Sequence, residues 1–192
     1  MNSKPPGRGS GLVHTVGGWC FRNRGWVPVP LALVCLVPEP ALRPAGLLLV
    51  AAGEALRVWA VGHIGRRSRT FGAGVGALVD RGPYARSRNP LYIGNLLLWA
   101  GFGVVGWPAA LVVVPLLALH YALIVRWEEA QLADQLGEPY VDYLARVPRW
   151  WPAGPANPGV WDGREALRSE RGTFMVLALV GAGFAARCYL PV

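Results

Sequence analysis

A long apolar stretch, interrupted only once, is the feature that most limits how this chain can fold. Residues 96–125 contain no Asp, Glu, Lys or Arg, and only Gly106-Trp107-Pro108 breaks the run. This pattern predicts two membrane-spanning helices joined by a tight turn. Because a helical hairpin returns the chain to the side that it left, the flanking polar segments, residues 82–95 and 126–152, should meet at one membrane surface.

The composition agrees with a membrane protein. Of the 192 residues, 53% are hydrophobic and only 16% are charged, whereas a soluble domain carries about 25% charged residues. The net charge of +8 comes almost entirely from Arg, and the Arg residues cluster at the ends of apolar segments. That distribution follows the positive-inside rule, so we expect no nucleic-acid partner. The three Cys are at unrelated spacings and predict neither disulfides nor a metal site.

The predicted fold is all-α, a polytopic membrane protein with about five apolar helices and a cytosolic amphipathic helical arm. We expect a single membrane domain over residues 1–192, divided into four parts. These are a cytosolic tail (1–25), a first helical pair (26–64), a loop, hairpin and arm that form the site (65–152), and an interfacial segment with a last helix (153–192). Basic residues are most numerous in the tail, the central loop and the arm, which places those parts in the cytoplasm. The glycine-rich residues 72–76 follow no predicted strand and are read as a linker.

Polar side chains collect at both ends of the hairpin. Ser87 to Asn89 can cap a helix that begins at Pro90, and the free N–H groups of such a start favour an anion. The alternative is that Asn89 only caps the helix while Arg88 extends to lipid headgroups. At the other end of the hairpin, Arg126 precedes two adjacent carboxylates.

Several further positions carry two interpretations each. Glu54 and Arg57 share a face of a long apolar helix, so they form an ion pair or line a ligand cavity. His120 lines the space that a kink at Pro115 would open, or packs against a neighbouring helix. The amphipathic stretch 127–147 folds back as a lid over the hairpin, or lies on the membrane surface.

The two polar segments together resemble a family of integral membrane enzymes. In order, the chain has Gly82-Pro83-Tyr84, Arg88-Asn89-Pro90-Leu91-Tyr92, the pair Glu128-Glu129, Gly137 to Tyr143, and Val147-Pro148 with Pro152. This order resembles the isoprenylcysteine carboxyl methyltransferase and phospholipid methyltransferase group, which uses S-adenosylmethionine (SAM). The resemblance covers roughly residues 80–152. Asn89 stands where the family usually has His, and an Asn cannot act as a base near neutral pH.

The resemblance implies which residues hold the cofactor. The Glu pair, Glu129 in particular, is expected to bind the amino group or ribose hydroxyls of SAM, and the helix start at Arg88 its carboxylate. Aromatic rings would flank the adenine or the sulfonium. The residues assigned to the cofactor are Tyr84, Arg88, Asn89, Pro90, Tyr92, Glu128, Glu129 and Tyr140.

The resemblance also implies the reaction. We expect methyl transfer to a lipophilic acceptor, in the first place a carboxylate as in isoprenylcysteine O-methylation, with Arg126 and Glu129 as catalytic residues and Arg57 and His120 at the substrate. An amine acceptor, as in phospholipid N-methylation, would need Glu128 or Glu129 to take a proton. An NADPH-dependent reductase of the steroid-reductase type is the rival enzyme class. The expected partners are a lipophilic or lipidated substrate and membrane lipid, at the inner or plasma membrane with the site facing the cytoplasm.

Overall fold

The described part of the chain is all-helical, as predicted. A computed structural model describes residues 11–31, 43–64, 77–105 and 110–189, and these ranges contain no strand. The α-helices are α1 (Leu12–Arg22), α2 (Pro44–Ile64), α3 (Pro90–Val105), α4 (Ala110–Leu136), α5 (Glu138–Arg146) and α6 (Gly163–Tyr189), with a 3-10 helix at Gly82–Ala85. Residues 32–42 of the predicted first helical pair, the linker over residues 72–76 and the turn at residues 106–108 lie outside the described residues.

Helices α2 and α3 pack through glycines. A Cβ atom built on Gly53 would lie 2.7 Å from the Gly94 carbonyl oxygen, and one built on Gly101 would lie 2.6 Å from that of Gly46. The glycines are seven residues apart on each helix, so both pairs lie on the contacting faces. Small residues let helix backbones approach closely where apolar side chains alone would keep them apart. This contact brings Arg57 of α2 beside α3.

Helix α4 is continuous from the apolar run into the amphipathic arm. One helix of 27 residues covers both, with Pro115 inside it, as expected for a helix that continues beyond Trp127 to the stop at Gly137. Its inner face is fully buried at Val113, Leu117 and Ile124. The continuous helix carries the Glu128-Glu129 pair rigidly at the end of its apolar part. The kink expected at Pro115 stays a prediction.

The N-terminal segment contains a helix that the sequence analysis did not assign. Helix α1 packs on α4, where a Cβ atom on Gly17 would lie 2.9 Å from the Trp127 Cβ. Phe21 is buried, and its ring centroid is 4.7 Å from that of Trp127. Residues 12–22 are therefore part of the helical core rather than a free tail, because tertiary packing outweighs the weak helix propensity of the two glycines.

Two of the described helices are long and apolar enough to cross a membrane, Pro44–Ile64 and Leu111–Leu136. Only 33% of each apolar window is buried inside the protein, so most of this apolar surface needs lipid or another cover. Helix α3 is apolar but shorter, with 16 residues. The predicted last span forms the second half of α6, whose first half is charged. The prediction of about five apolar helices is therefore not confirmed.

Candidate functional site

A cavity of about 350 Å³ lies where the N-terminus of α3, the polar end of α4 and helix α5 come together. All eight residues that the sequence analysis assigned to the cofactor line this cavity, and so does Arg57. The hairpin thus brings the two polar segments together, as its geometry requires. Residues 77–79, which precede the first polar segment, form another part of the wall.

One carboxylate links the two segments at the cavity. The Arg88 Nε atom lies 3.1 Å from Oε1 of Glu129, and both side chains are about nine-tenths buried, with 10% and 9% exposed. Arg149 approaches the same carboxylate from the other side and donates from Nη2 to Oε2 at 2.6 Å and from Nε at 3.1 Å. Two-point contacts of this kind fix both orientation and distance. Glu129 is therefore held by two guanidinium groups.

Helix α5 and the segment after it hold the start of α3 in place. The Arg88 backbone N–H donates to the Pro148 carbonyl at 3.0 Å, and its Nη1 donates to the Leu144 carbonyl at 2.7 Å. The Asn89 side-chain amide donates to the Arg149 carbonyl at 3.2 Å. Asn89 is 9% exposed, so it serves a structural contact as well as lining the cavity. Neither Arg88 nor Asn89 extends to the solvent, which favours the site interpretation over the headgroup interpretation.

Glu128 has different surroundings from Glu129. Its carboxylate interacts with the Tyr92 hydroxyl and with the positive charge of Arg24. Among the described residues, no ion pair joins Glu128 to a guanidinium within 4 Å. The Tyr92 ring packs on Tyr121, with centroids 5.1 Å apart. Glu128 is thus the carboxylate in the cavity that is not already matched by arginine.

Helix α5 folds back over the cavity. Gly137, at φ +66°, ends α4 in a backbone conformation that L side chains rarely adopt, and the chain reverses there. Tyr140 and Tyr143 point inward and line the cavity, and the Tyr143 hydroxyl donates to the Tyr84 carbonyl at 2.8 Å. Burial, above all, raises the pKa of both phenols well above the usual value for tyrosine. Both hydroxyls therefore remain donors, and α5 occupies the position expected of a lid.

Arg57 forms a second buried cluster. It donates from Nη2 to Glu170 at 2.5 Å and to the Thr173 hydroxyl at 2.9 Å, and from Nη1 to Asn95. Its Nε also lies 3.4 Å from Glu54. Both sequence interpretations therefore hold for Arg57, which is ion-paired and also lines the cavity.

Two of the predicted site residues lie elsewhere. Arg126 is exposed and does not line the cavity, so its proposed contact with the reacting groups does not fit this placement. His120 is 7% exposed, packs near Tyr121 at 5.6 Å between ring centroids, and is also absent from the cavity wall. The packing interpretation fits His120.

Sequence reasoning missed four residues at or behind the cavity. Arg24 and Phe21 come from α1 and the turn after it, Arg149 from the segment after α5, and Glu170 from α6. Arg149 was used only to infer topology, although it follows the Val147-Pro148 part of the motif directly. The others have no local signal, because their contacts join residues far apart in the chain.

Comparisons with known proteins identify a family for this chain. The sequence profile of the phospholipid methyltransferase family matches residues 42–138. This range includes α2, α3 and α4, and therefore both Arg57 and Glu129. No solved structure matches the chain.

Two curated relatives have related sequences. The cobalt-zinc-cadmium resistance protein CzcN of Cupriavidus metallidurans is 35% identical over 119 residues, which are 59% of this chain and 50% of the relative. The nickel-cobalt-cadmium resistance protein NccN of Alcaligenes xylosoxydans xylosoxydans is 32% identical over 151 residues, 72% of this chain and 65% of the relative. The chain thus spans about half to two-thirds of the length of these relatives. The family profile covers half of the chain, and on that match the protein belongs to the phospholipid methyltransferase family of membrane methyltransferases.

Proposed function

We propose that this protein binds SAM in the described cavity and transfers its methyl group to a lipophilic acceptor at the membrane. One observation carries the proposal: the buried pair of Arg88 and Glu129, 3.1 Å apart, forms the wall of a cavity at the polar end of two apolar helices. Buried charges at such a place are costly and mark functional sites.

The residues present fit the cofactor. The cavity volume, about 350 Å³, falls within the range of roughly 300–1,000 Å³ for small-molecule sites. SAM carries a carboxylate, an ammonium, a sulfonium and an aromatic base. The cavity offers Arg88 for the carboxylate, Glu128 for the ammonium, and tyrosine rings for the base and the sulfonium. We now assign the ammonium to Glu128, because Glu129 already has two guanidinium partners.

The protein's own task is alignment. When bound, SAM supplies a methyl group on a positively charged sulfur, which moves to the acceptor as the carbon–sulfur bond breaks. Such a displacement needs donor and acceptor in line and water excluded. Helix α5 excludes water, since Tyr140 and Tyr143 are buried over the cavity. Glu129 fixes the position of Arg88. The segment after α5 holds both residues, since the Pro148 carbonyl accepts from the Arg88 backbone N–H and Arg149 donates to Glu129.

For the acceptor we favour a carboxylate, held by Arg24. Arg24 lies at the exposed edge of the cavity, donates from Nη1 to the Phe21 carbonyl at 3.0 Å, and has no carboxylate within ion-pair distance among the described residues. Arg126 is exposed outside the cavity, and the charge of Arg57 is matched by Glu170. A carboxylate is ionised near pH 7 and needs no base.

A phospholipid amine is the second candidate. Its ammonium would lose a proton before attack, and Glu128 is the carboxylate in the cavity that has no guanidinium partner within 4 Å among the described residues. Radiolabelled methyl transfer from SAM to N-acetyl-S-farnesylcysteine and to dioleoylphosphatidylethanolamine separates the two. In the carboxylate case Arg24→Ala raises the KM for the farnesylated probe, whereas in the amine case Glu128→Gln abolishes transfer to the phospholipid.

The first experiment is a binding comparison. SAM and NADPH are titrated separately into the detergent-purified full chain and followed by calorimetry. The proposal expects saturable heat with SAM and none with NADPH. Binding of NADPH alone would support the reductase class, and binding of neither would support a non-catalytic membrane protein.

The names of the two relatives add a possible physiological setting. Both are named for resistance to cobalt, cadmium and a third metal. Over the described residues, no three His, Cys, Asp or Glu side chains are grouped so as to hold a metal ion. We therefore propose that any contribution of this chain to metal tolerance acts through methylation of a membrane component. A deletion strain complemented with wild type but not with Glu129→Gln, grown on cobalt or cadmium, would support this; equal complementation would contradict it.

A further inference from the structure

Helix α6 lies outside the part of the chain that the family profile matches, and it contacts Arg57 of the cavity wall. The profile ends at residue 138, and α6 begins at Gly163. Glu170 of this helix is fully buried, with 0% exposed, and accepts from Arg57 Nη2 at 2.5 Å. Thr173, one turn further along, accepts from the same nitrogen at 2.9 Å.

A structural contact alone does not explain this arrangement. Joining α6 to α2 by an ion pair removes two charged groups from water, which apolar side chains of similar size would achieve at lower cost. The Arg57 side chain is 13% exposed, and it lines the cavity. The ion pair therefore controls a group that a bound ligand meets.

The hydrogen bonds of Arg57 limit what it can recognise. Asn95, Glu170 and Thr173 take three of its five N–H donors. Its charge is matched by Glu170 and by Glu54, whose Oε2 lies 3.4 Å from Nε. A guanidinium compensated in this way is a poor site for an anion. Its remaining donors suit a neutral oxygen, such as an amide carbonyl, an ester carbonyl or a hydroxyl.

We propose that Glu170 and Thr173 are positioning residues that present Arg57 to a neutral carbonyl or hydroxyl oxygen of the acceptor, so that α6 completes the acceptor site. The inference rests on the proposed function insofar as the cavity binds the reactants. It adds that the acceptor carries a neutral oxygen that contacts Arg57, in addition to the group that is methylated. It also makes residues outside the matched region necessary for activity.

The test compares Glu170→Gln, Glu170→Ala and Thr173→Val in the detergent-purified full chain. Glu165→Gln is the matched control, because Glu165 lies on the same helix and accepts from Ser169 without contacting Arg57. Four quantities are measured: the melting temperature, the SAM Kd, the KM for N-acetyl-S-farnesylcysteine and dioleoylphosphatidylethanolamine, and the rate at which p-hydroxyphenylglyoxal modifies Arg57, read by mass spectrometry.

The proposal expects the KM for the methylated probe to rise about tenfold in Glu170→Ala, the size of losing one hydrogen bond to a charged group. Glu170→Gln should fall between wild type and Glu170→Ala, since it keeps an acceptor oxygen. The SAM Kd should change little, and Arg57 should be modified faster because its guanidinium is released. Glu165→Gln should match wild type in all four measurements.

A lower melting temperature with unchanged KM and unchanged Arg57 modification would show a structural ion pair and overturn the inference. If wild type methylates neither probe, the proposed function fails on these acceptors, but the modification rate still decides whether Glu170 positions Arg57. Equal rates in wild type and Glu170→Ala would then refute the positioning role.

Discussion

Two buried ionic clusters on the same cavity have opposite composition. In the first, two guanidinium groups share one carboxylate, and in the second, two carboxylates share one guanidinium. Their members are Glu129 with Arg88 and Arg149, and Arg57 with Glu54 and Glu170. The first cluster is centred on a carboxylate and the second on a guanidinium, and the central residues of both, Glu129 and Arg57, line the same cavity.

The clusters also differ in how the chain builds them. In the first, both arginines lie outside the helices, Arg88 just before α3 and Arg149 after α5, and the Leu144 and Pro148 carbonyls help to fix Arg88. The second joins residues in the interior of three helices, α2, α3 and α6, and the contacts of Arg57 there are between side chains. The stability of the first cluster should therefore depend on its charged groups, and that of the second on the packing of the helices around it.

The largest effect should come from removing the shared carboxylate. Glu129→Ala leaves Arg88 buried beside Arg149 with no counter-charge, and we expect a loss of about 3–5 kcal/mol of unfolding free energy. Chemical denaturation of the detergent-solubilised protein measures this loss. Glu138→Gln is the control, since Glu138 is exposed at the start of α5. A loss no larger than that of the control would show that the two arginines do not need Glu129.

A smaller loss should follow from widening the contact of α2 with α3. The Cβ atom of Gly53→Ala would lie 2.7 Å from the Gly94 carbonyl and 2.8 Å from the Leu98 nitrogen, and both are backbone atoms. We expect about 1–3 kcal/mol of destabilisation from the forced shift, with faster modification of Arg57. Gly172→Ala, which would meet nothing within 4 Å, should be neutral or slightly stabilising. Equal stability of the two variants would contradict the close packing.

The two arginines of the first cluster should differ from each other. Arg149 is 36% exposed, so its ion pair is screened by solvent, and Arg149→Ala should cost at most about 1 kcal/mol. Arg88 is 10% exposed and also donates to the Leu144 carbonyl, so Arg88→Ala should cost more and weaken SAM binding more strongly. Melting temperatures and SAM titrations of the two variants test this order. A larger loss in Arg149→Ala would show that Arg149, and not Arg88, is the more important partner of Glu129.

The smallest effect is expected at Arg126. Because this side chain is exposed and outside the cavity, Arg126→Ala should change stability by less than about 0.5 kcal/mol. Methyl transfer should also stay near the wild-type rate. A loss of activity at unchanged stability would restore the catalytic role that the sequence analysis gave it.

The pairing of Arg88 with Glu129 could be predicted from the sequence because helix signals bracket the hairpin that joins them, whereas the contact of Arg149 was missed. Asn89-Pro90 signals a helix start, Gly137 a reversal, and the apolar run between them a hairpin, so the meeting of Arg88 with Glu129 follows from topology alone. The side of α4 that faces inward does not follow. Its apolar residues surround the helix, and periodicity therefore did not separate Arg126 from the buried face.

The second cluster and α1 could not be predicted in the same way. Glu170 is 113 residues from Arg57, and no local pattern announces such a contact. Helix α1 has a sequence rich in glycine, and it is helical because Gly17 and Gly18 fit closely against α4. Tertiary contacts determine the structure of both the second cluster and α1, and such contacts cannot be predicted from local patterns in a single sequence.

The most direct test of the account is a calorimetric titration of SAM into wild type, Glu129→Gln and Glu128→Gln, with Glu138→Gln as the control. The account predicts saturable binding to wild type and control, and no measurable binding to either cavity variant while the protein stays folded. Glu128→Gln keeps the test decisive if Glu129→Gln does not fold. Unchanged affinity in a folded Glu128→Gln and Glu129→Gln pair, or no binding of SAM to wild type, would contradict the claim that this cavity is the cofactor site.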